Sequence, residues 1–148
     1  MTKQLKAISS PAKMEENFVP GKIFFDGKIY EAIPLLQLMV VLASRRILLV
    51  DETIDENVLN LLECCNQSIR PIVMVRKFSQ ELSEIVSNFN GTHPIQIPVG
   101  LSNMRNCTYL VIDDKLFHIS TPIYRVNSKP TVMMEIHPPV SELIIANL

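Results

Sequence analysis

The residues of this chain best suited to chemistry lie in one stretch, Asn106 to Thr121. It reads N-C-T-Y-L-V-I-D and then D-K-L-F-H-I-S-T, which predicts an apolar strand, an acidic turn and a second strand. His118, on the second strand, can take or release a proton near neutral pH. Ser120 and Thr121 carry hydroxyls that can donate hydrogen bonds to an anion. A packing role on an apolar strand is the alternative for His118.

Acidic residues form a second candidate cluster after the apolar run R-I-L-L-V-D. Asp51, Glu52, Asp55 and Glu56 follow the predicted carboxyl end of a strand, where α/β sheets commonly place ligand sites. Paired carboxylates can perform acid–base chemistry or hold Mg²⁺. The simpler interpretation is that these residues cap the next helix and favour its dipole.

Basic residues occur as two pairs, Arg45-Arg46 and Arg76-Lys77, each at a predicted strand boundary. With Lys22, Lys28 and Arg105 they could form a phosphate-facing patch. Few aromatic residues lie between them, so stacking of bases on exposed rings is not indicated. Separate solvated charges are the alternative interpretation.

Composition indicates a soluble cytoplasmic protein with no cofactor. The net charge of −1 gives no basic excess that would indicate a nucleic-acid binder. No apolar run is long enough to span a membrane. The cysteines lack C-x-x-C spacing and the histidines lie far apart, so we expect free thiols and no metal site.

The elements that must position these residues follow from apolar periodicity. Apolar runs around Asp26-Gly27 predict a tight hairpin, and continuous apolar runs alternate with amphipathic segments. Predicted helices cover Glu31–Ser44, residues from Thr53 or Asp55 to about Cys65, Ser79–Phe89 (ended by Asn90-Gly91) and Ser141–Asn147. Predicted strands are R-I-L-L-V-D, P-I-V-M-V, I-Q-I-P-V, Thr108–Ile112, Leu116–Ser120 and Thr131–Ile136.

This alternation predicts an α/β fold, with a mixed, largely parallel sheet and helices on both faces. Residues 1–20 are polar, contain two prolines and read as an N-terminal arm. Residues 21–148 would then form one domain.

The order of these elements, with several of their strings, resembles one domain of the phospholipase D-like superfamily. The strings are F-F-D-G-K-I-Y-E-A, I-L-L-V-D-E-T-I-D-E-N-V-L-N-L-L and L-V-I-D-D-K-L-F-H-I-S-T. The resemblance covers roughly residues 21–148 and implies the fold of a phosphodiesterase. The small single-domain members that it suggests are carried by bacteria and mobile elements, and they pair two copies around a two-fold axis.

The same resemblance implies that the catalytic groups have been replaced. The family's strand carries a nucleophilic His, then a Lys two places on and an Asp five further along. Here Asn106 stands for the His and Thr108 for the Lys, while Asp113 is kept. An amide is not a nucleophile, and a hydroxyl does not replace a positive charge on phosphate. Downstream, where the family has Gly, Ser and Asn, this chain has Ser120, Thr121 and Ile123.

Three functional hypotheses follow. The first is a catalytically inactive phospholipase D-like domain that acts as a protein-binding or scaffolding module, forms a homodimer and has an unknown protein partner. The second is a nucleic-acid-binding protein that does not cleave its ligand. The third is a residual phosphodiesterase or nuclease that uses His118 and the acidic cluster. Glu135, next to His137, would be a remnant of the family's supporting Glu.

Overall fold

The computed structural model of the chain describes residues 17–104 and 107–148. These residues form four α-helices and one sheet of eight strands, which confirms the predicted α/β class. The strands are β1 (Lys22–Phe25), β2 (Lys28–Glu31), β3 (Ile47–Asp51), β4 (Ile72–Val75), β5 (Val99–Leu101), β6 (Thr108–Ile112), β7 (Lys115–Ile119) and β8 (Thr131–Ile136). The helices are α1 (Ala32–Leu42), α2 (Glu56–Leu62), α3 (Gln80–Thr92) and α4 (Val140–Ala146), with a 3-10 helix at Ile123–Arg125.

The sheet is mixed, in the order β2-β1-β8-β7-β6-β3-β4-β5. The pairs β1–β8, β3–β4 and β4–β5 are parallel, and the other described pairs are antiparallel. The sheet is therefore less parallel than predicted. The reason is that the β6–β7 hairpin lies between the two parallel portions, and the strand direction reverses three times across β8, β7, β6 and β3.

Helices α1 to α3 pack on one face of the sheet. Their buried side chains, such as Leu36, Leu59 and Leu82, form one core with alternate strand residues, such as Leu49 and Leu110. The second face is also buried at its centre, by residues that include Val50, Val111 and Leu116. Helix α4 contacts β7 and adds no residue to the first core, as expected of a helix on the second face. None of the described helices is long and apolar enough to cross a membrane.

The local signals in the sequence account for most element boundaries. Asp26 and Gly27 have φ of 53° and 80°, which suits the predicted tight turn between β1 and β2. Asp55 caps α2 by accepting from Val58 N at 3.1 Å, and Ser79 caps α3 by accepting from Leu82 N at 3.1 Å. Ser79 was predicted as a cap from its type, and Asp55 was one of two predicted candidates, with Thr53.

Several boundaries differ from the prediction by one to three residues, and two differences around the end of α3 have a physical explanation. Helix α3 continues past Asn90-Gly91 to Thr92, because the Asn90 side chain bonds both Ile97 N (2.8 Å) and Ile97 O (3.1 Å) instead of ending the helix. The predicted strand I-Q-I-P-V is mostly a loop, and pairing with β4 begins at Val99. The backbone groups of Ile97 are already satisfied by that asparagine.

The ends of the strands line two opposite sides of the sheet, and we call each of these sides an edge. β3, β4 and β7 end where β6 and β8 begin, and we call this the Asp51 edge. β3 begins at the opposite edge, beside the β6–β7 turn, and we call this the Asp113 edge. The predicted site residues divide between these two edges.

Candidate functional site

A hollow opens at the Asp51 edge and brings several predicted site residues together. Its volume is about 360 Å³, and its polar lining is Glu52, Thr108, His118, Ser120 and Arg125. The strand ends carry most of these residues, and Arg125 comes from the 3-10 helix that follows β7.

Thr108 does not present its hydroxyl to this hollow as a phosphate ligand. The residue is only 4% exposed, and its Oγ1 donates a hydrogen bond of 2.8 Å to Asp51 Oδ1. The hydroxyl of Thr108 is therefore bonded to Asp51 inside the protein and does not point to a ligand in the hollow.

Asp51 is the buried anchor of the site. It is 2% exposed and accepts from Thr108, from Ile123 N at 3.0 Å and from Glu52 N at 2.7 Å. Burial raises the pKa of Asp51 to about 6, against the opposing effect of the hydrogen bonds from Ile123, Thr108 and Glu52. The carboxyl thus joins β3, β6 and the 3-10 helix.

Ser120 and Thr121 differ in accessibility. Ser120 is exposed, lines the hollow and accepts from Val132 N at 2.8 Å, which leaves its hydroxyl proton free to be donated. Thr121 is 4% exposed and does not line the hollow. Ile123 is 3% exposed and takes part through its backbone N–H.

His118 borders the hollow, but its ring packs on a neighbouring strand. The register places it opposite Tyr109, and the two rings meet edge to face with centroids 5.5 Å apart. Alternation along β6 directs Tyr109 and Thr108 to opposite faces of the sheet. Among the described residues no carboxylate hydrogen-bonds the His118 ring, so the described part of the chain offers no group that would orient it as a base.

The basic residues separate between the two edges. Arg76 and Lys77 lie at the Asp51 edge and share Glu52, with N–O distances of 3.0 Å and 3.5 Å. The Arg76 Nε atom is buried without a hydrogen-bond partner among the described residues. Arg45 pairs with Asp114 at 2.8 Å at the Asp113 edge.

Arg46 also lies at the Asp113 edge, where its Nε donates to Asp113 O at 3.3 Å. Lys22 begins β1 at the Asp51 edge, and Lys28 begins the antiparallel β2 at the other edge. The single basic patch that combines all of these residues is therefore not formed. Arg105 lies outside the described residues.

Asp113 has a structural role at its own edge. Its carboxylate accepts from the backbone N–H of Ser44 (3.2 Å), Arg45 (2.6 Å) and Arg46 (3.1 Å). Burial raises the pKa of Asp113, but these hydrogen bonds outweigh it, and the pKa lies below its ordinary value. Asp113 thus fastens the β6–β7 turn to the start of β3.

The remaining predicted residues lie away from the hollow or outside the described part of the chain. Asn106 lies outside the described residues, as does most of the predicted arm. Glu135 and His137 form a pair at 3.5 Å near the Asp113 end of β8. In the acidic cluster, Asp55 caps α2, Glu52 pairs with the two basic residues and Glu56 is exposed in the first turn of α2.

Sequence reasoning missed Arg125 as part of the site and Asp51 as its buried anchor. Arg125 lies in a short 3-10 helix that has no apolar periodicity to reveal it. Asp51 follows a buried strand, and that position was the available signal.

No protein-family model matches the chain, and no curated protein matches it in sequence. Solved structures share its fold. NucT from Helicobacter pylori superposes with a TM-score of 0.55 at 10% identity, covering 97% of this chain and 89% of NucT. TrmBL2, an archaeal chromatin protein whose structure shows a novel mode of DNA binding, superposes with a TM-score of 0.52 at 12% identity, covering 78% of this chain. This chain spans about half the length of TrmBL2, 46%. At these identities the likeness shows the fold alone.

Proposed function

We propose that this chain is a catalytically inactive phospholipase D-like domain that binds the phosphodiester backbone of nucleic acid without cleaving it. The observation that carries the proposal is the hollow at the Asp51 edge, where the exposed Ser120 and Arg125 lie beside Thr108, whose hydroxyl is already bonded to Asp51 at 2.8 Å. Thr108 stands where the resemblance implies a lysine, and its hydroxyl bonds inside the protein. Two positions earlier, Asn106 stands in place of the implied nucleophile. Loss of a covalent nucleophile leaves at most about a 10³-fold rate enhancement from binding and electrostatics.

The charges and donors at the Asp51 edge support phosphate binding. Arg125 is exposed and lines the hollow with Ser120, whose hydroxyl can donate to a phosphate oxygen. Arg76 and Lys77 together share one carboxylate, that of Glu52, so this group keeps a net positive charge. Arginine and serine are common ligands of phosphate in nucleic-acid complexes.

The fold supports the same proposal. NucT from Helicobacter pylori shares this fold over most of its length, and so does a region of TrmBL2, an archaeal chromatin protein with a novel mode of DNA binding. Neither likeness transfers a function by itself, because unrelated functions occur on one fold. The proposal therefore rests on the residues of the Asp51 edge.

Fluorescence anisotropy with a labelled DNA duplex across a salt series tests the proposal. We expect binding that weakens steeply with salt, because counterions are released from the phosphates. Arg125→Ala and Arg76→Ala should each weaken binding several-fold and reduce the salt slope by about one. Arg45→Ala at the Asp113 edge is the matched control and should bind like the wild type. Absence of binding at low salt, or equal losses in all three variants, would overturn the proposal.

A second candidate function is a protein-binding or scaffolding module that forms a homodimer. Apolar side chains that α1 exposes to solvent, including Leu42 at 68% exposure, favour it. Light scattering on a sizing column would report the dimer. The resemblance further suggests a cytoplasmic protein of a mobile element or of a phage-related system, with another protein as its partner, and this setting is part of the proposal.

A further inference from the structure

Asp51 is a buried carboxyl that has no cationic partner in the part of the chain that the structure describes. It is 2% exposed, and its donors are neutral groups: the Thr108 hydroxyl and the backbone N–H groups of Ile123 and Glu52. None of the ion pairs between described residues includes it. Burial without a positive partner favours the neutral form of an acid.

This carboxyl lies directly behind the hollow at the Asp51 edge. Thr108 lines the hollow and donates to Asp51 Oδ1 at 2.8 Å, and Glu52, the next residue in the chain, lines it as well. The proposed ligand of the hollow is a phosphodiester, which is an anion. An ionised Asp51 therefore repels the ligand, and the repulsion is strong because little water separates the two charges.

Thr108 allows Asp51 to take up a proton without losing a hydrogen bond. A hydroxyl can donate a hydrogen bond or accept one. Thr108 Oγ1 donates to Oδ1 when the carboxyl is ionised, and it can accept from a protonated Oδ1 when the carboxyl is neutral. The Ile123 N–H can donate to Oδ2 in both states. Both protonation states therefore preserve the junction of β3, β6 and the 3-10 helix.

We propose that phosphodiester binding at the Asp51 edge is coupled to the uptake of a proton by Asp51, so that the affinity rises as the pH falls. The proton removes the buried negative charge that the ligand would otherwise face. Thermodynamic linkage makes the effect reciprocal, because a ligand that favours the neutral carboxyl binds more tightly where that form is populated. The inference rests on the proposed function and adds a means of regulating the same site.

The pKa of Asp51 fixes the pH range of the coupling. Burial raises this pKa to about 6 in the free protein, and a bound anion would raise it further. Below about pH 5 the carboxyl is neutral with or without the ligand, and above about pH 8 it is ionised in both states. Between these limits, binding takes up a proton and the affinity falls as the pH rises.

Other titratable groups near Asp51 have to be separated from it. Glu52 is paired with Arg76 and Lys77. His118 borders the same hollow, and histidine is the residue type that ordinarily titrates in this range, so its protonation would also attract an anion. The other titratable or charged residues on the adjoining segments are Asp55 and Glu56 at the start of α2, Cys107 and Tyr109 at the start of β6, and Tyr124 and Arg125 in the 3-10 helix.

Fluorescence anisotropy with a labelled DNA duplex, at about pH 5 and about pH 8 and at one ionic strength, provides the first test. The wild type should bind about tenfold more tightly at the lower pH, a common size for coupling between two sites. Asp51→Asn should lose most of this dependence, because the amide stays neutral. His118→Asn should keep it. Asp114→Asn, which removes an exposed carboxylate at the Asp113 edge, is the matched control for net charge and should also keep it.

Calorimetry detects the proton directly and does not need an Asp51 variant. The His118→Asn protein is titrated with the same duplex at about pH 6.5 in two buffers that differ in ionisation enthalpy. The difference between the two heats should correspond to an uptake of about half a proton for each bound site.

The outcomes separate this inference from the proposed function. Binding without proton uptake, or a pH dependence that persists in Asp51→Asn and disappears in His118→Asn, would overturn the inference and leave the proposed function standing. Absence of DNA binding at both pH values would overturn the proposed function and this inference together.

Discussion

A single buried carboxyl links the candidate site to the stability of the fold. Asp51 accepts hydrogen bonds from one hydroxyl and two backbone N–H groups, and these donors come from three different segments. Thr108 supplies the hydroxyl. Thr108, which stands where the family resemblance implies a lysine, therefore contributes a buried hydrogen bond to the fold.

Removing the Thr108 hydroxyl should destabilise the protein. Thr108→Val leaves Asp51 without its side-chain donor, and we expect the free energy of unfolding to fall by about 1–3 kcal/mol. Thr108→Ser keeps the hydroxyl and should lose less. Urea denaturation at neutral pH measures both variants, and equal stability of the valine and serine variants would show that the hydrogen bond is unimportant.

The raised pKa of Asp51 predicts a pH-dependent stability. The folded protein holds this proton up to about pH 6, whereas the ordinary pKa is 3.8. Between these values the folded state binds more protons than the unfolded chain, so the contribution of this carboxyl falls as pH rises. It is fully present below about pH 4 and is lost as the pH passes about 6.

The Asp51→Asn variant isolates this effect. Stability of the wild type relative to Asp51→Asn should be greater at pH 4 than at pH 7, by on the order of 3 kcal/mol. Urea denaturation at the two pH values gives the difference, in which the other titrating groups largely cancel. A difference that does not change with pH would contradict the assignment.

At the scale of the elements, the turn between β6 and β7, which contains Asp113, is bonded to the residues just before β3. Three backbone N–H groups at the start of β3 donate to the Asp113 carboxylate, and Asp113 itself has a φ of 56°. Asparagine and aspartate tolerate this left-handed conformation better than other residues with side chains. The family resemblance implies an aspartate at this position, and Asp113 joins the β6–β7 turn to the start of β3.

Asp113→Ala should therefore loosen the attachment of the turn. We expect a loss of about 1 kcal/mol or more in the free energy of unfolding at neutral pH, because the acceptors for three N–H groups disappear. Asp113→Asn keeps one acceptor oxygen and should lose less. Since the pKa of Asp113 is lowered on folding, the wild-type advantage should shrink as the pH falls below the ordinary value of 3.8. Thermal denaturation of the three proteins checks this order, and an alanine variant as stable as the wild type would refute it.

The sequence was most informative where one local signal decides the structure. Apolar runs predicted β6 and β8 with their observed bounds. Residue types predicted the cap Ser79 and narrowed the cap of α2 to Thr53 or Asp55, of which Asp55 is the cap. It was less informative where a distant contact decides. The Asn90 side chain bonds Ile97 instead of ending α3, and no local pattern reveals that pairing.

The same contrast between local signals and distant contacts applies to the candidate site. Ser120 and Thr121 were both predicted as hydrogen-bond donors from their residue types, but the burial of Thr121 depends on the packed structure. The Asp51–Ile123 bond joins residues 72 positions apart in the chain. Only the order of the strands in the sheet brings these groups to one edge, and that order was not predicted from the sequence.

At the scale of the whole molecule, the fold separates two surfaces. The Asp51 edge carries the hollow with Ser120 and Arg125, while α1 exposes the apolar side chains of Leu38, Val41 and Leu42 to solvent. We propose that the first surface binds a phosphodiester.

The central proposal is that this chain binds phosphodiesters and does not cleave them. Its most direct test is turnover of a chromogenic phosphodiester by the purified wild type, beside Asn106→Ala and His118→Ala. We predict no turnover above the buffer rate in any of the three proteins. Turnover by the wild type that either substitution abolishes would contradict the claim and would establish a residual enzyme.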